Sequence, residues 1–573
     1  MLGLTTPDVL ILVAYFLIVV VIGCASSRLV RTNEDFVMGG RRFGKLLTAF
    51  YAFGAGTHAD NAVGVASRSY DVGLSGIWYQ WVMLFTLPIY WLLAPIFRRS
   101  RVLTTADFFE LRYGTGFMML YAFFGMVVCI IFTGVMLFGS AQLIEALTGG
   151  VIPFWAGILS IAVISFLYGI LGGLIAAVWN DFFQGLLTIV MSLMILPFFW
   201  TKIGGLRGFR AALPNPEQAF QLVMDQEITI FWIVMLSVNS LLSMVVQPHI
   251  MSNAGSAKTE MDSRVGFVAG ILLKRLVTVP WALTGVMAIA LYGPGAIKGD
   301  HAFGFMARDL LPAGFAGLMI ACIMASVMDN VSVFMICFSG LWTTSVYRRF
   351  LRPSSDEAQL IRINRLTSLI FGVSSVCLSF SFGDMPSAMR FTWNTVPLMG
   401  IAFFLGLYWR RANRYGAFAS FISALVAMLL ANGLLGSRGD IGLPITVSLF
   451  ISTGLIAGIV VSYLTPPEPS DRLNHFFLRI KTPIGQEAQA PQLQLAGMVQ
   501  SRSTANPFRA RPVDWPHHHE ARAEWDRPKL IAHPDWEFPV PSREAWVGSL
   551  VCVLVVLLMI GGISLLANWL ARG

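Results

Sequence analysis

Charged side chains are scarce in this sequence. Asp, Glu, Lys and Arg make up 12% of the 573 residues, hydrophobic residues make up 56%, and the mean hydropathy is +0.69. A water-soluble globule of this size needs a more polar surface than this composition provides. The shortage of charge therefore argues against a soluble protein and indicates a chain whose solvent is the lipid bilayer.

Cysteine is also rare, and its spacing excludes the usual cysteine chemistry. The six cysteines lie inside or beside apolar segments and form no CxxC pair, so neither a disulfide framework nor a zinc site is indicated. The chain also lacks a P-loop, a GxSxG elbow and an HExxH motif. Because these motifs would carry ATP hydrolysis or membrane-bound hydrolysis, we expect no enzymatic activity and no covalent cofactor.

What the chain does contain is a series of apolar runs, each long enough to cross a bilayer at about 20 residues. We predict an all-α polytopic membrane protein with about fourteen transmembrane helices. The predicted spans lie near residues 7–26, 46–66, 74–97, 117–143, 151–172, 175–200, 228–250, 266–293, 310–346, 365–383, 391–409, 415–436, 442–464 and 546–570.

Three regions follow from this pattern. Residues 1–464 hold the first thirteen spans, residues 465–545 form a Pro- and Arg-rich linker, and residues 546–573 hold the last span. The linker has no apolar run long enough to cross a bilayer, so we expect it to be cytoplasmic and partly disordered.

Basic residues cluster in alternate loops, for example at Arg98, Arg99 and Arg101 and again at Arg410, Arg411 and Arg414. The positive-inside rule places these loops in the cytoplasm and both termini outside. The net charge of +9 therefore reflects topology and lipid contact rather than nucleic-acid binding. We expect a multi-pass protein of a cell membrane, bacterial in type, whose oligomeric state the sequence does not indicate.

The second predicted span is interrupted by glycine and polar residues in a way that a lipid-facing helix excludes. The interruption contains Gly54, Gly56, Thr57, His58, Asp60, Asn61 and Gly64. An unwound stretch at this depth leaves backbone carbonyls for a cation and a half-helix N-terminus for a solute. The alternative is a kinked helix that packs closely through its small residues.

A second interrupted span follows five helices later. Its polar residues are Asn239, Ser240, Ser243, Gln247, Pro248 and His249. Two broken helices separated by five spans are typical of an inverted five-plus-five repeat.

Several long motifs resemble those of the sodium/solute symporter family, in its sodium/glucose branch. The stretch YAFGAGTHADNAVGVASRSYDVGLSGIWYQW, followed by LAPIFRRSRVLTTADFFELRYG, is similar to the family's broken helix and the cytoplasmic loop after it. GGLIAAVWNDFFQG, PLMGIAFFLGLYWRRANRYGA and ACIMASVMDNVSVF resemble further family motifs in the same order. The resemblance implies a leucine-transporter-like fold, with inverted repeats at about 46–200 and 228–409. It also implies secondary active symport of a small polar solute (a sugar, polyol or carboxylate) with a cation, in the first place Na⁺.

The resemblance further implies a sodium site between the second and ninth spans. Its positions fall here on Gly54, Thr57, Cys322, Ser326 and the supporting acid Asp181. One of the two serines of the family's site is Ala325 in this chain. Because Na⁺ prefers several hard oxygen ligands, another oxygen has to replace the missing hydroxyl.

Three ionisable residues near these positions leave a second coupling ion open. Asp329 follows Ser326 by about one turn, and His58 and Asp60 lie in the interrupted second span. A histidine titrates near neutral pH, and a buried carboxylate can be protonated there. These residues are therefore candidates for an extra cation or proton site, with proton coupling as the alternative to sodium coupling.

The solute-facing positions of sugar-transporting relatives fall on Asn61, Gln80, Asn239 and Lys274. Amide side chains both donate and accept hydrogen bonds, which suits a neutral, hydroxyl-bearing solute. Arg390 stands beside another such position, and with Arg68 it is a candidate clamp for a carboxylate. A transporter-like sensor of the same solute is a second interpretation.

Overall fold

All regular secondary structure in the described part of the chain is helical. The computed structural model describes residues 5–27, 41, 43–102, 104–435, 439–485, 529–531 and 533–572, and within the helices it leaves out the side chains of 19–20, 22–27, 166–177, 179–180, 329, 357–358, 361 and 434–435. Three isolated β-bridges are the only extended pairings within those ranges.

The apolar runs of the first part of the chain become eight helices. They are α1 Thr6–Ser27, α2 Lys45–Gly54, α3 Ala59–Val72, α4 Leu87–Ser100, α5 Thr105–Tyr113, α6 Thr115–Leu147, α7 Phe154–Ile203 and α8 Gly205–Ala212. Short helical turns over residues 73–86 join α3 to α4. The Thr104 hydroxyl and the Asp107 carboxylate form a capping box that fixes the start of α5.

The next eight helices repeat the pattern of a broken helix followed by long apolar ones. They are α9 Ile230–Val245, α10 Pro248–Gly255, α11 Glu260–Tyr292, α12 Ala302–Leu310, α13 Phe315–Gly340, α14 Glu357–Ser379, α15 Met385–Thr395 and α16 Gly400–Tyr408. A wider helical segment, Leu341–Leu351, continues α13 without a break.

Four helices complete the described chain: α17 Arg414–Leu435, α18 Gly439–Leu464, α19 Ser470–Lys481 and α20 Arg543–Arg572. The α19 helix lies within the predicted linker and buries one apolar face that includes Phe476 and Phe477. Other linker residues that the structure describes include 482–485, 529–531 and 533–545, whereas residues 486–528 and 532 lie outside the described residues, so the expected partial disorder stays a prediction.

The predicted number of fourteen transmembrane helices is not confirmed. Nine helical segments in the described ranges are long and apolar enough to cross a membrane, and α9 with α10 makes a tenth if that bent pair is one span. Part of the difference comes from α7, a single helix of 50 residues where the sequence predicts the fifth and sixth spans. At about 1.5 Å per residue it is roughly two and a half times as long as a membrane crossing requires.

The α11 helix holds the first broken helix in place. It packs against α2, α3 and α4, and two of its glycines allow the close approach to α2. A Cβ atom at Gly270 would lie 2.5 Å from the carbonyl oxygen of Ala49, and one at Gly266 would lie 2.5 Å from Cβ of Thr48. On another side, α13 packs against α7 and brings Ser326 to the break.

Candidate functional site

The first broken helix is interrupted where the sequence predicts. The α2 helix ends at Gly54, α3 begins at Ala59, and His58 between them has an extended backbone. The Thr57 N–H still donates to the Gly54 carbonyl at 3.0 Å, so the interruption is one tight turn. The turn exposes the first N–H groups of α3 and the last carbonyls of α2 to whatever lies beside them.

The second broken helix bends more sharply. The axes of α9 and α10 differ by 69°, because Pro248 supplies no N–H to continue the helix. The freed carbonyl of Val246 accepts a hydrogen bond from the Tyr121 hydroxyl at 2.6 Å, and the Gln247 amide donates to the Ser243 hydroxyl at 3.2 Å. Protein groups therefore satisfy much of this second break.

One side of the first break carries a buried acid. Asp181 on α7 is 1% exposed, and neither carboxylate oxygen has a hydrogen-bond partner in the described structure. A Cβ atom at Gly54 would lie only 2.9 Å from one of these oxygens. The Thr57 hydroxyl is also buried without a partner. Burying an unpaired carboxylate in a membrane protein is unfavourable unless a cation accompanies it.

Two residues of α13 complete this side of the break. The Ser326 hydroxyl accepts a hydrogen bond from the Ala59 N–H at 3.1 Å and donates to the Ile323 carbonyl at 3.0 Å. The Asn330 amide donates to the Gly54 carbonyl at 3.0 Å, and its own carbonyl oxygen is buried without a partner. Unpaired oxygens of Asp181, Thr57 and Asn330 are thus the kind of ligand that a hard cation takes.

For two of the predicted cation positions, Cys322 and Asp329, the structure describes no side-chain contact at the break. Cys322 is fully buried on α13, one turn before Ser326, and Ala325 is fully buried beside it. The side chain of Asp329 lies outside the described residues, so its predicted part in an extra cation or proton site stays a prediction.

The other side of the first break faces a cavity of about 110 Å³. Its walls come from α2, α3, α6, α9, α10, α11, α13 and α15, so both broken helices reach it. The cavity is lined by several polar and charged residues, among them His58, Asp60, Asn61, Gln80, His249, Lys274 and Arg275. A concave site with few but convergent polar groups is the usual form of a small-molecule site.

A chain of amides and charges runs along one wall of this cavity. The Gln80 amide donates to the Asn61 carbonyl oxygen, and the Arg275 guanidinium donates to the Gln80 side-chain oxygen at 2.9 Å. The Nδ1 atom of His58 lies 3.1 Å from a carboxylate oxygen of Asp60 and 2.8 Å from the Asn61 amide nitrogen. Nδ1 can donate to the first or accept from the second, so its proton decides which bond forms.

Lys274 differs from its neighbour Arg275. The Lys274 side chain lines the cavity, only 8% of the residue is exposed, and its ammonium group has no hydrogen bond or ion pair within the described ranges. Its Nζ would lie 3.7 Å from a Cβ atom at Gly56. The Lys274 amine therefore lies beside the break without a hydrogen bond or salt bridge to any described residue.

Two predicted solute positions lie elsewhere. The Asn239 amide donates to the Trp393 carbonyl at 2.9 Å, and Asn239 is not among the residues that line the cavity. Arg390 also does not line the cavity, and its guanidinium lies 3.5 Å from the Asp440 carboxylate. Arg68 pairs with the same acid at 2.9 Å and also with Glu227. The two arginines thus meet at one buried acid of α18, away from the cavity.

Two residues at the site, Asn330 and Arg275, were not predicted from the sequence, and a third, His249, was named only as part of the second interruption. Asn330, His249 and Arg275 each touch the break or the cavity. Asn330 follows Ser326 by four residues and so shares its helix face, a signal that the sequence does contain. No comparable signal separates Arg275 from Lys274, since only packing decides which partner each cation finds.

The sequence pattern that describes the Sodium:solute symporter family matches residues 36–424. The sodium/glucose cotransporter of Vibrio parahaemolyticus is 23% identical over 464 residues, which cover 74% of this chain and 84% of that protein. The osmoregulated proline transporter OpuE of Bacillus subtilis (strain 168) is 25% identical, with coverage of 80% and 95%. The human sodium/myo-inositol cotransporter 2 is 24% identical, with coverage of 85% and 81%.

The fold is similar to solved structures of other transporters. A substrate-bound, outward-open Na⁺-coupled sialic acid symporter superposes with a TM-score of 0.71 at 17% identity, covering 81% of this chain and 98% of the other. The nucleobase-cation-symport-1 family transporter Mhp1 in a closed conformation gives a TM-score of 0.52 at 10% identity, with coverage of 78% and 98%. These likenesses confirm the predicted leucine-transporter-like fold with its broken helices.

Proposed function

We propose that this chain, which belongs to the sodium:solute symporter family, moves a small polar solute (a sugar, polyol or carboxylate) across a cell membrane together with Na⁺. The family match and the cotransporters among its relatives support this function, and they favour transport over catalysis. The single observation that carries the proposal for this chain is the unpaired, buried carboxylate of Asp181 beside the broken helix. A cation that binds from solution would offset the cost of burying that carboxylate.

The proposed cation site uses oxygens from three helices. Asp181 supplies charge, Thr57 supplies a hydroxyl, and Ser326 lies on the facing helix. The carbonyl groups of Gly54 and Cys322 are further ligands that the family resemblance implies. The Gly54 carbonyl already accepts hydrogen bonds from the Thr57 N–H and the Asn330 amide, so it becomes a cation ligand when one of these bonds is released.

The loss of one family serine at Ala325 has a proposed replacement. Asn330 carries a buried side-chain oxygen with no partner within the described residues, and its amide is already fixed by the Gly54 and Ser326 carbonyls. We infer that the Asn330 oxygen takes the place of the missing hydroxyl.

The proposed solute site is the cavity on the opposite side of the break. Asn61, Gln80 and Lys274 line it and present both donors and acceptors. Asn239 acts as a positioning residue, because it holds the Trp393 backbone and Trp393 lines the cavity. Arg390 is left out of the solute site because Asp440 engages it.

Coupling follows from the shared turn. A cation bound at Gly54 and Thr57 fixes the backbone that places His58 and Asn61 in the cavity, so each ligand raises the affinity for the other. One charge that moves through about 100 mV gains roughly 2.3 kcal/mol. This free energy concentrates a solute about fiftyfold before any sodium gradient is added.

Uptake into reconstituted vesicles tests this function. Candidate solutes are offered with a sodium gradient, a potassium gradient or a pH gradient, each imposed separately. We expect accumulation only with inward sodium, and we expect Asp181→Asn to abolish it. Accumulation that follows the pH gradient and ignores sodium would reject the proposed coupling.

A further inference from the structure

The charges around the cavity are unequal. Two basic side chains, Lys274 and Arg275, line the cavity, and Asp60 is the single acid among the described residues that line it. Asp60 already lies 3.1 Å from the His58 ring nitrogen and 3.5 Å from the Asn61 amide. Without the two histidines, the described walls therefore hold two basic side chains for one acidic one. A net charge enclosed in a membrane protein is unfavourable unless the ligand balances it.

Two half-helices point their positive ends at the same cavity. His58 and Gln247 are the residues that immediately precede α3 and α10, and both line the cavity. Neither side chain caps the first N–H groups of its own helix, and in α3 the Ser326 hydroxyl accepts only the Ala59 N–H. An uncapped helix N-terminus carries about half a positive charge and favours an anion.

Lys274 supplies the independent observation that a ligand is missing. Its ammonium has no partner in the described structure although the residue is more than nine-tenths buried. Arg275 next to it donates through Nη1 to the backbone and side chain of Gln80 and lies against Met83 through Nη2, while its buried Nε has no partner in the described structure. His58 and His249 each keep one buried ring nitrogen without a partner. The unpaired donor thus lies where both half-helices converge.

We propose that the transported solute is a small organic carboxylate of net charge −1, whose carboxylate group binds Lys274 between the N-termini of α3 and α10. This inference rests on the proposed transport function and narrows its solute class. The amides of Asn61 and Gln80 then bind the polar remainder of the solute. The cavity volume of about 110 Å³ favours a solute of few atoms.

Thermal unfolding of the full chain in detergent and sodium tests the charge of the solute. The probes are C2–C6 monocarboxylates and hydroxycarboxylates, each paired with its amide and its alcohol, with zwitterionic alanine and proline as a third group. We expect at least one carboxylate to raise the unfolding temperature, while its neutral partner and the zwitterions do not. Stabilisation by neutral or zwitterionic probes alone, or by no carboxylate in the series, would overturn the inference.

Lys274→Gln tests the binding group. We expect a loss of carboxylate affinity of about ten- to a hundredfold, as for a hydrogen bond to a charged group, with Lys274→Arg retaining part of it. The matched control is Lys202→Gln, because Lys202 is exposed and far from the cavity. Equal carboxylate affinity in Lys274→Gln and the parent protein would contradict the inference. Failure of the transport function itself is distinguishable, because then no solute of any charge shows sodium-dependent uptake.

Discussion

The two sides of the first broken helix carry opposite charge. A Cβ atom at Gly54 would meet the Asp181 carboxylate at 2.9 Å, whereas one at Gly56, two residues later, would lie 3.7 Å from the Lys274 ammonium. Both charges are buried, and neither has an ion-pair partner in the described part of the chain. A single tight turn thus separates a side suited to a cation from a side suited to an anion. The backbone of the turn is the same on both sides, so the difference comes from the side chains that flank it, Asp181 on one side and Lys274 on the other.

Among the described residues, the second broken helix does not have an acid on one side and a base on the other. Its freed Val246 carbonyl is bonded by Tyr121, and Gln247 is bonded to Ser243. The second break therefore shapes the cavity and points a helix end at it, but it leaves no unpaired carboxylate. We infer that ion binding belongs to the first break and that both breaks serve the solute.

The largest expected effect on sodium affinity comes from removing the Asp181 carboxylate. Asp181→Asn should raise the half-saturating sodium concentration by more than about a hundredfold, since it removes the only charge proposed for the cation site. The same variant should unfold at a higher temperature than the parent in sodium-free buffer, because an unpaired buried charge is gone. Sodium titrations of uptake and of the unfolding temperature measure the two effects. The control Asp225→Asn changes an exposed acid, and equal sodium dependence in both variants would remove Asp181 from the site.

Substitutions at Gly54 and Gly56 compare the two sides of the break directly, and their expected effect on sodium affinity is the second largest. Gly54→Ala places a methyl group against the Asp181 carboxylate, an overpacking effect of about 1–3 kcal/mol, so sodium affinity should fall roughly tenfold or more. Gly56→Ala makes ordinary contacts at 3.6 and 3.7 Å and should leave sodium affinity within about threefold. If Gly56→Ala weakens sodium binding more than Gly54→Ala does, the assignment of the two sides is reversed.

Substitution of Asn330 should have an intermediate effect on sodium affinity. Asn330→Ala removes the donor to the Gly54 and Ser326 carbonyls and the proposed replacement ligand, which we expect to weaken sodium binding by about tenfold. Sodium titration of solute uptake measures this change. The exposed Asn432 on α17 offers a matched control, Asn432→Ala. Unchanged sodium affinity in Asn330→Ala would mean that another oxygen compensates for Ala325.

The smallest effect is expected far from both sides, at Glu537. Burial raises the pKa of its carboxyl, but hydrogen bonds from Lys481 and Arg410 outweigh this and leave the pKa below the usual value of 4.5. Its contribution to stability is therefore complete at neutral pH and is lost as the pH falls through the lowered pKa. Glu537→Gln should lower the free energy of unfolding by about 1 kcal/mol at pH 7 without altering sodium affinity.

Thermal unfolding at pH 7 measures this difference, and the exposed Glu544→Gln is its control. An altered sodium affinity in Glu537→Gln would show that the charge division is not confined to the first break.

The break itself was predictable because glycine and polar residues at Gly54–Asn61 cannot sit in a lipid-facing helix. The positions of Asn239 and Arg390 were not predictable, because each side chain binds a partner distant in sequence. Asn239 binds the Trp393 carbonyl, and Arg390 binds the Asp440 carboxylate. Hydrophobic periodicity places a residue on a helix but does not choose between two polar neighbours. The same limit applies to Lys274 and Arg275, adjacent basic residues of which only Arg275 is hydrogen-bonded to Gln80 within the described ranges.

The most direct test of the central claim is equilibrium binding of radioactive sodium with and without solute. If the two ligands share one turn, a bound solute raises sodium affinity by about five- to a hundredfold, and Lys274→Gln binds sodium normally but loses this increase. Sodium affinity that is the same with and without a transported solute would contradict the account.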